Sequence, residues 1–313
     1  MDLRPAAETA LRQCMALRSD ESCLIVTDDD RRRIGEALYE VARGITDDAV
    51  VLTYPPGPQH GAEPPEPVAA AMRQADVVLA PTTKSLSHTR ARGAATDAGA
   101  RAATLPGITE EVFVTGLDAD YERIHEECER VLEQVADAEK VRVTSPQGTD
   151  VTFEPGEREW LADTGIVHRS GDFSNLPAGE VFVSPETANG TYVVDGTMHP
   201  HGLLDHAITI EVEDGYVTSV SDPEVARELE VAADEAGRDA YNLAELGIGT
   251  NLAVTELVGS VLLDEKAAGT VHVAIGDDAG IGGDTDAPIH SDGILREPTV
   301  YADDVEVELP RVE

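Results

Sequence analysis

The chain has 313 residues, a length typical of two domains that each bury a core of their own. It carries 23 Lys and Arg against 61 Asp and Glu, a formal net charge of −38, at a hydrophobic content of 41%. This hydrophobic content excludes an acidic disordered chain, and the lack of a cationic stripe excludes duplex nucleic acid as a partner.

The first part of the chain alternates predicted strands and helices. Short apolar runs predict strands at residues 22–26, 49–54, 76–80 and 101–105. Helical spacing of apolar residues predicts helices at residues 6–17, 67–74 and 87–98. A further helix is predicted from the three aspartates at residues 28–30 to about residue 42. Such alternation implies a Rossmann-like α/β domain, with helices on both faces of a parallel sheet and a ligand crevice at its strand ends.

A change of pattern near residue 138 predicts a domain boundary. A charged amphipathic helix at residues 121–138 is followed by short alternating strands from residue 141 to about residue 220. A helix at residues 223–241 and strands at 271–275 and 305–309 complete the pattern. We therefore predict a Rossmann-like domain over residues 1–138 and an α+β metal-binding domain over residues 139–313.

The charge pattern also indicates where the protein works. Only Lys84, Lys140 and Lys266 are lysines, and acidic residues occur throughout the chain. Such a surface repels itself unless salt screens it, so we expect a protein of a salt-rich cytoplasm. No segment has the apolar run of a signal peptide or a membrane span, and three scattered cysteines predict reduced, mostly buried thiols.

Two histidines and an aspartate form the sharpest local signal for chemistry. His290 and Asp292 are two residues apart, so on extended chain they point to the same side and could share one metal ion. His272 lies in an apolar strand, on the face opposite its valines, where a lone histidine could equally be a hydrogen-bonded structural residue.

Two glutamates are surrounded by apolar and glycine residues. Glu180 begins a predicted strand, and Glu245 stands within residues 243–249. A buried carboxylate needs a partner, which a metal or an arginine can provide. An exposed strand carboxylate is the alternative for Glu180.

A third segment, residues 83–89, could contact substrate. Lys84 and His88 lie between a predicted strand and helix, where backbone amides and a lysine could meet an anionic group. Helix capping by Ser85 or Ser87 explains the segment equally well. The chain has no GxSxG, HExxH or paired CxxC motif, so serine hydrolase, zincin and zinc-ribbon functions lack support.

Several segments in the same order resemble the M29-type metallo-aminopeptidases, that is aminopeptidases T and S and leucyl aminopeptidase-like proteins. They are residues 175–180 (NLPAGE), 245–251 (ELGIGTN), 264–272 (DEKAAGTVH) and 290–292 (HSD), with 83–89 and 105–109 in the N-terminal part. The resemblance covers most of residues 140–303. The chain looks like a short, halophilic member.

The resemblance implies a metallo-aminopeptidase, a cytoplasmic hydrolase acting on small peptides and forming a homodimer. It implies a pair of Zn, Co or Mn ions held by Glu180, Glu245, His272, His290 and Asp292. A metal-activated water would attack the first peptide carbonyl, with Glu245 or Glu180 bridging the ions or moving the proton. One departure is that Ala279 replaces a tyrosine of the family.

Two other functions compete with this one. The resemblance extends to ring-cleaving dihydroxypyridine dioxygenases, whose single Fe(II) would be held here by His272, His290 and Asp292. Metal binding by Glu180 and Glu245 favours the two-ion hydrolase, and its absence favours oxygen chemistry. A non-catalytic binding protein predicts no bound metal.

Overall fold

The computed structural model describes residues 1–311. The chain forms two compact units, of which the first contains Met1–His125 and Asp163–Ala178. The second contains Glu126–Ala162 and the chain from Gly179 onward. The predicted boundary after residue 138 therefore differs from the structural one, because the chain leaves the first unit after His125 and returns to it at Asp163. A change in sequence pattern marks where strand type changes, not where one core ends.

The secondary structure comprises nineteen short strands and eight α-helices among the described residues. The strands are β1 (Cys23–Asp28), β2 (Ala49–Tyr54), β3 (Val77–Thr82), β4 (Arg101–Pro106), β5 (Val141–Thr144), β6 (Asp150–Glu154), β7 (Leu161–Asp163), β8 (Phe173–Asn175), β9 (Glu180–Val183), β10 (Thr187–Val194), β11 (Thr197–Met198), β12 (Gly202–Leu203), β13 (Ile208–Glu213), β14 (Tyr216–Val220), β15 (Leu243–Gly249), β16 (Val271–Gly276), β17 (His290–Leu295), β18 (Thr299–Ala302) and β19 (Val305–Glu306). The helices are α1 (Arg4–Thr9), α2 (Arg32–Ala42), α3 (Glu66–Met72), α4 (Arg90–Asp97), α5 (Glu110–Leu117), α6 (Tyr121–Val135), α7 (Pro223–Ala236) and α8 (Val261–Asp264).

A five-stranded parallel sheet organises the first unit, in the order β2-β1-β3-β4-β8. Strands β1 and β3 are buried at every position, as expected for central strands of a parallel sheet. Alternate residues of these strands, such as Leu24 and Val78, pack into one core with Met72 of α3 and Ala91 of α4. The predicted α/β class and parallel sheet are confirmed.

Helix α2 covers the opposite face of this sheet. Gly35 of α2 approaches Thr27 of β1 so closely that an added Cβ would lie 2.7 Å from the threonine methyl carbon. Successive strand residues point to opposite faces of a sheet. Val26 faces the core that contains α3, and its neighbour Thr27 faces α2. Helices therefore lie on both faces, as the sequence predicts.

Two seven-stranded sheets organise the rest of the chain. One has the order β14-β13-β10-β6-β5-β18-β19, and the other has the order β12-β11-β17-β16-β15-β9-β7. Helix α7 begins at an Asp222 cap, whose side chain accepts from the backbone amides of Glu224 and Val225. The short antiparallel strands match the predicted change of character after residue 138.

Some elements were not predicted, and each has a local reason. Helix α5 contains β-branched residues and a glycine, which have weak helix propensity. Strand β8 has three residues, too few for a pattern, and depends on pairing with β4. The strand predicted at residues 305–309 is limited to Val305–Glu306.

The described helices include none with both the length and the apolar composition that a bilayer crossing demands. All three cysteines are buried, as predicted, with no disulfide between them.

A buried ion pair joins two parts of the first unit. Arg101 donates to both Glu21 carboxylate oxygens at 2.9 and 2.8 Å and to the Met15 carbonyl at 3.2 Å. Burial raises the pKa of Glu21, but hydrogen bonds from Arg101 and from the Arg18 backbone outweigh it, so the pKa lies below its usual value.

We predict that Glu21→Gln lowers the free energy of unfolding by about 3 kcal/mol at neutral pH, because Arg101 stays buried without a counter-charge. The folded-state pKa of Glu21 is below its unfolded value. Its stabilisation is therefore complete above the unfolded pKa and is lost as the pH falls through the folded one. Denaturant unfolding of the wild type and of Glu21→Gln at fixed salt should show that their free energies of unfolding differ less as the pH falls. A difference that does not change with pH would contradict this assignment.

Candidate metal centre

Acidic and imidazole side chains meet on one face of four neighbouring strands, β9, β15, β16 and β17. These side chains are Glu180 at the start of β9, Glu245 in β15, His272 in β16, and His290 with Asp292 in β17. The structure therefore brings together all five residues that the sequence singled out as candidate ligands. Their role as ligands stays a prediction.

The strand register explains why these side chains share a face. His272 pairs with Gly247, and Ala274 pairs with both Glu245 and Asp292. Paired residues, and residues two apart on a strand, point to the same side of a sheet. The candidate ligands therefore alternate with glycine and alanine, which leave room for them. The other face carries the fully buried side chains of Leu246, Ile248, Val273 and Ile275.

The five side chains form one connected cluster of contacts. His272 Nε2 is 3.2 Å from Glu245 Oε1 and 3.5 Å from Glu180 Oε2. His290 Nε2 is 3.5 Å from Glu245 Oε2 and 3.3 Å from Asp292 Oδ1. They form two groups of three, Glu180–Glu245–His272 and Glu245–His290–Asp292, and Glu245 belongs to both.

Backbone carbonyls orient both imidazoles. His272 Nδ1 is 3.1 Å from the Glu265 carbonyl oxygen, and His290 Nδ1 is 2.7 Å from that of Asp277. Since a carbonyl only accepts, each Nδ1 donates, and each Nε2 faces the carboxylates. This is the arrangement of metal-binding histidines, whose second nitrogen is held by a carbonyl or carboxylate.

The carboxylates create a strong preference for positive charge at these nitrogens. Burial alone lowers the pKa of His272, but the hydrogen bond with Glu245 and the charge of Glu180 raise it to about 9. Burial likewise lowers the pKa of His290, and Asp292 and Glu245 raise it well above its usual value. The site therefore attracts either protons on the imidazoles or a cation between the imidazoles and the carboxylates.

The donor set fits a divalent metal ion. Glu180 Oε2 is buried and accepts no hydrogen bond from any described residue. Nitrogen and carboxylate ligands without a thiolate suit Zn, Mn, Co or Fe(II). The residues present can therefore hold a divalent cation, with Glu245 common to both groups.

Gly247 forms the cradle for one imidazole. A Cβ at this position would lie 2.1 Å from both Cε1 and Nε2 of His272. The ring therefore lies directly against the β15 backbone, where only glycine fits. The first glycine of the ELGIGTN segment is therefore needed to make room for the His272 ring, two residues after Glu245.

Sequence reasoning missed the lysine that joins this cluster. Lys266 is buried, with its Nζ 3.0 Å from Glu180 Oε1 and also hydrogen-bonded to Glu265 Oε1. Its signal was present in the sequence, because Lys266 is one of only three lysines and directly precedes the segment that leads to His272.

The residues predicted to contact substrate lie in the first unit. Lys84 is half-buried and His88 is exposed, on the segment that follows β3. The cap of α4 is Thr89, which accepts from the Arg92 amide, so neither Ser85 nor Ser87 caps that helix. The substrate-binding role of Lys84 and His88 stays a prediction.

Comparison with known proteins decides the family. The family model for 2,5-dihydroxypyridine 5,6-dioxygenase (NicX) matches residues 3–309. This chain belongs to that family. A curated relative, the 2,5-dihydroxypyridine 5,6-dioxygenase of Pseudomonas putida, is 24% identical over 188 residues, or 55% of this chain. That alignment spans 53%, about half, of the relative's own length.

Two solved structures share the fold. The structure of 2,5-dihydroxypyridine dioxygenase from Pseudomonas putida KT2440 superposes with a TM-score of 0.80 at 19% identity, covering 99% of this chain and 97% of that one. AmpT from Thermus thermophilus gives a TM-score of 0.68 at 19% identity, covering 95% and 94%. Identities this low show the fold and not the reaction.

The family match corrects the predicted reaction. The expectation of a metallo-aminopeptidase, and with it of a hydrolase and metalloprotease, is wrong, because the family model and the curated relative both name a dioxygenase. The resemblance to M29 proteins holds for the fold. That the chain is an enzyme is supported by the same match.

We predict that Gly247→Ala weakens metal binding by about 10–100-fold, the range seen when groups that orient a ligand are altered. The added methyl must displace the His272 ring. Titration calorimetry with Mn(II) measures the effect.

Gly93→Ala is the matched control, because a Cβ there meets nothing within 4 Å. It should bind Mn(II) like the wild type. Wild-type affinity in Gly247→Ala would mean that His272 is not a ligand.

Proposed function

We propose that this chain is a mononuclear Fe(II) dioxygenase that opens a dihydroxylated pyridine ring and adds both atoms of O2 to the product. The observation that carries the proposal is the family match over residues 3–309, nearly the full chain. The names of the relatives suggest 2,5-dihydroxypyridine as the substrate to test first.

His272, His290 and Asp292 are the residues we assign to the iron. They form the two-histidine, one-carboxylate set typical of non-haem Fe(II) oxygenases, in which open positions remain for other ligands. A ferrous ion held there supplies the electrons that activate O2 and a Lewis acid for a ring hydroxyl. The antiparallel pairing of β16 with β17 places these three side chains on one face.

Glu245 is the residue we assign to proton transfer. Its oxygens lie 3.2 Å from His272 Nε2 and 3.5 Å from His290 Nε2, so it faces the assigned metal ligands. An ionised carboxylate in this position can accept the proton that a ring hydroxyl loses on binding.

The protein also contributes rigidity and exclusion of water. Apart from His290, the assigned residues are less than a tenth exposed. Both imidazoles are held by backbone carbonyls, which keeps Nε2 directed at the cluster without rearrangement. A preorganised site of low exposure strengthens every electrostatic contact made with substrate.

Oxygen uptake by protein loaded anaerobically with Fe(II) tests the proposal. In high salt, 2,5-dihydroxypyridine should be consumed with one O2 per ring, and ¹⁸O2 should place two labelled atoms in the opened product. Folded, iron-loaded protein that consumes no O2 with this ring would contradict the proposal, as would incorporation of one labelled atom.

Ligand variants sharpen the same assay. We expect His290→Ala and Asp292→Asn to lower turnover at least about 100-fold, since even groups that only support a ligand cost up to that much. The matched control is Ser291→Ala, between them on β17, because its hydroxyl donates instead to the His199 carbonyl at 2.7 Å. Equal losses in all three variants would indicate a folding defect and not a ligand role.

A further inference from the structure

The loop that joins β16 to β17, residues 277–289, contains a single buried residue. Asp278 is 3% exposed, whereas every other residue of this loop is half-buried or exposed. A carboxylate is almost never buried without groups that compensate the loss of water. The burial of Asp278 therefore indicates a specific role in the loop.

Three donors hold the Asp278 carboxylate. Its Oδ2 accepts from the Ser184 hydroxyl at 2.9 Å and from Asn242 Nδ2 at 3.0 Å, and its Oδ1 accepts from the Thr285 amide at 2.7 Å. Ser184 directly follows β9 and Asn242 directly precedes β15. The carboxylate therefore links the loop to two strands that carry candidate ligands, through hydrogen bonds of the strong, charge-assisted kind.

The loop backbone is fitted around this carboxylate. The Gly283 amide donates to the Asp278 carbonyl at 2.9 Å, and a Cβ at Gly283 would lie 1.9 Å from Asp278 Cγ. Asn242 Nδ2 also donates to the Gly276 carbonyl at 3.0 Å. Both neighbours of Asp277 in the chain are therefore held in place.

Asp277 connects this anchor with the candidate metal centre. Its carbonyl oxygen lies 2.7 Å from His290 Nδ1. His290 is the first residue of β17 and its side chain is 35% exposed, whereas that of His272 is 1% exposed and packs against Gly247. The orientation of the His290 ring therefore depends on the loop more than on packing.

We propose that Asp278 is a positioning residue for the metal ligand His290. It fixes the peptide of Asp277, whose carbonyl keeps Nδ1 of His290 as a donor and leaves Nε2 directed at the carboxylates. The inference rests on the assignment of His290 to the metal under the proposed function, and it does not depend on which reaction the metal supports.

Mn(II) affinity, measured by titration calorimetry, tests this inference without any turnover. Asp278→Asn keeps the size of the side chain but puts an amide where a carboxylate accepts three hydrogen bonds. It should weaken Mn(II) binding by at least about tenfold, the lower end of the range for groups that orient a metal ligand. Wild-type affinity in folded Asp278→Asn would overturn the inference.

Asp28→Asn is the matched control for a general structural effect. Asp28 is also fully buried, and its carboxylate accepts from Asp30, Arg31 and Thr83, which all belong to the first unit. This variant should lose stability as Asp278→Asn does, but its Mn(II) affinity should stay within about twofold of wild type. An equal loss of affinity in the two variants would overturn the inference.

A double-mutant cycle separates the orientation of His290 from the loss of a negative charge. If Asp278 acts through His290, adding Asp278→Asn to His290→Ala should change the Mn(II) affinity by less than about twofold. A charge effect would persist in that background, so a further loss as large as in the wild type would overturn the inference. Wild-type affinity in His290→Ala would overturn both the inference and the assignment of His290 to the metal.

Gly283→Ala covers the case in which Asp278→Asn does not fold, because it changes only a half-buried loop residue. Its Cβ must displace Asp278, so Mn(II) binding should weaken by about tenfold. Gly93→Ala should again bind like the wild type, and wild-type affinity in Gly283→Ala would overturn the inference. A chain whose variants behave as expected but which consumes no O2 with the ring would instead contradict the proposed function and leave the role of Asp278 intact.

Discussion

The candidate metal centre depends on the antiparallel register of β9, β15, β16 and β17. A slip of one residue in any of these strands would turn its whole set of side chains to the other face of the sheet. The register is held by the apolar residues that alternate with the ligands, such as Leu246 and Val273, which must stay buried. Hydrophobic burial on one face thus positions polar chemistry on the other. Gly247 completes the arrangement, because the imidazole of His272 fits only against a backbone without a side chain.

A second constraint follows from charge. Glu180, Glu245 and Asp292 are buried, and buried carboxylates need cations beside them. The ammonium of Lys266 and, when protonated, the two imidazoles are cations on this face, and the donor set also fits a divalent ion. The positions of Nδ1 on His272 and His290 settle which nitrogen faces the cluster. Lys266 and the two imidazoles are part of the chain, whereas a bound divalent ion can be exchanged.

Much of this arrangement could be predicted from the sequence, and the reasons are local. His290 and Asp292 share a face because strand residues two apart always do. Glu180 and Glu245 stood out because carboxylates surrounded by apolar residues and glycine need a partner. The alternating pattern of the N-terminal part led to the parallel sheet. Strand β8 and helix α5 escaped prediction because they are formed by contacts distant in sequence or by residues of weak propensity.

The reaction could not be predicted from the same residues. Histidines and carboxylates suit a pair of hydrolytic ions as well as a single iron, and residue type does not say which oxygen of Glu180 is already occupied. The family match over residues 3–309 distinguishes the two possibilities, which the motifs alone do not. The match names a dioxygenase where the motifs suggested an aminopeptidase, while the fold shared with AmpT remains. The contact of Lys266 with Glu180 likewise becomes visible only in three dimensions.

The most direct test of this account is a crystal structure of the protein loaded anaerobically with Fe(II), with anomalous diffraction recorded at the iron edge. The account predicts one anomalous peak per chain, bonded to Nε2 of His272, Nε2 of His290 and the carboxylate of Asp292, with Lys266 still in contact with Glu180. Two peaks bridged by Glu245, or a single peak bonded to Glu180 in place of Lys266, would contradict it.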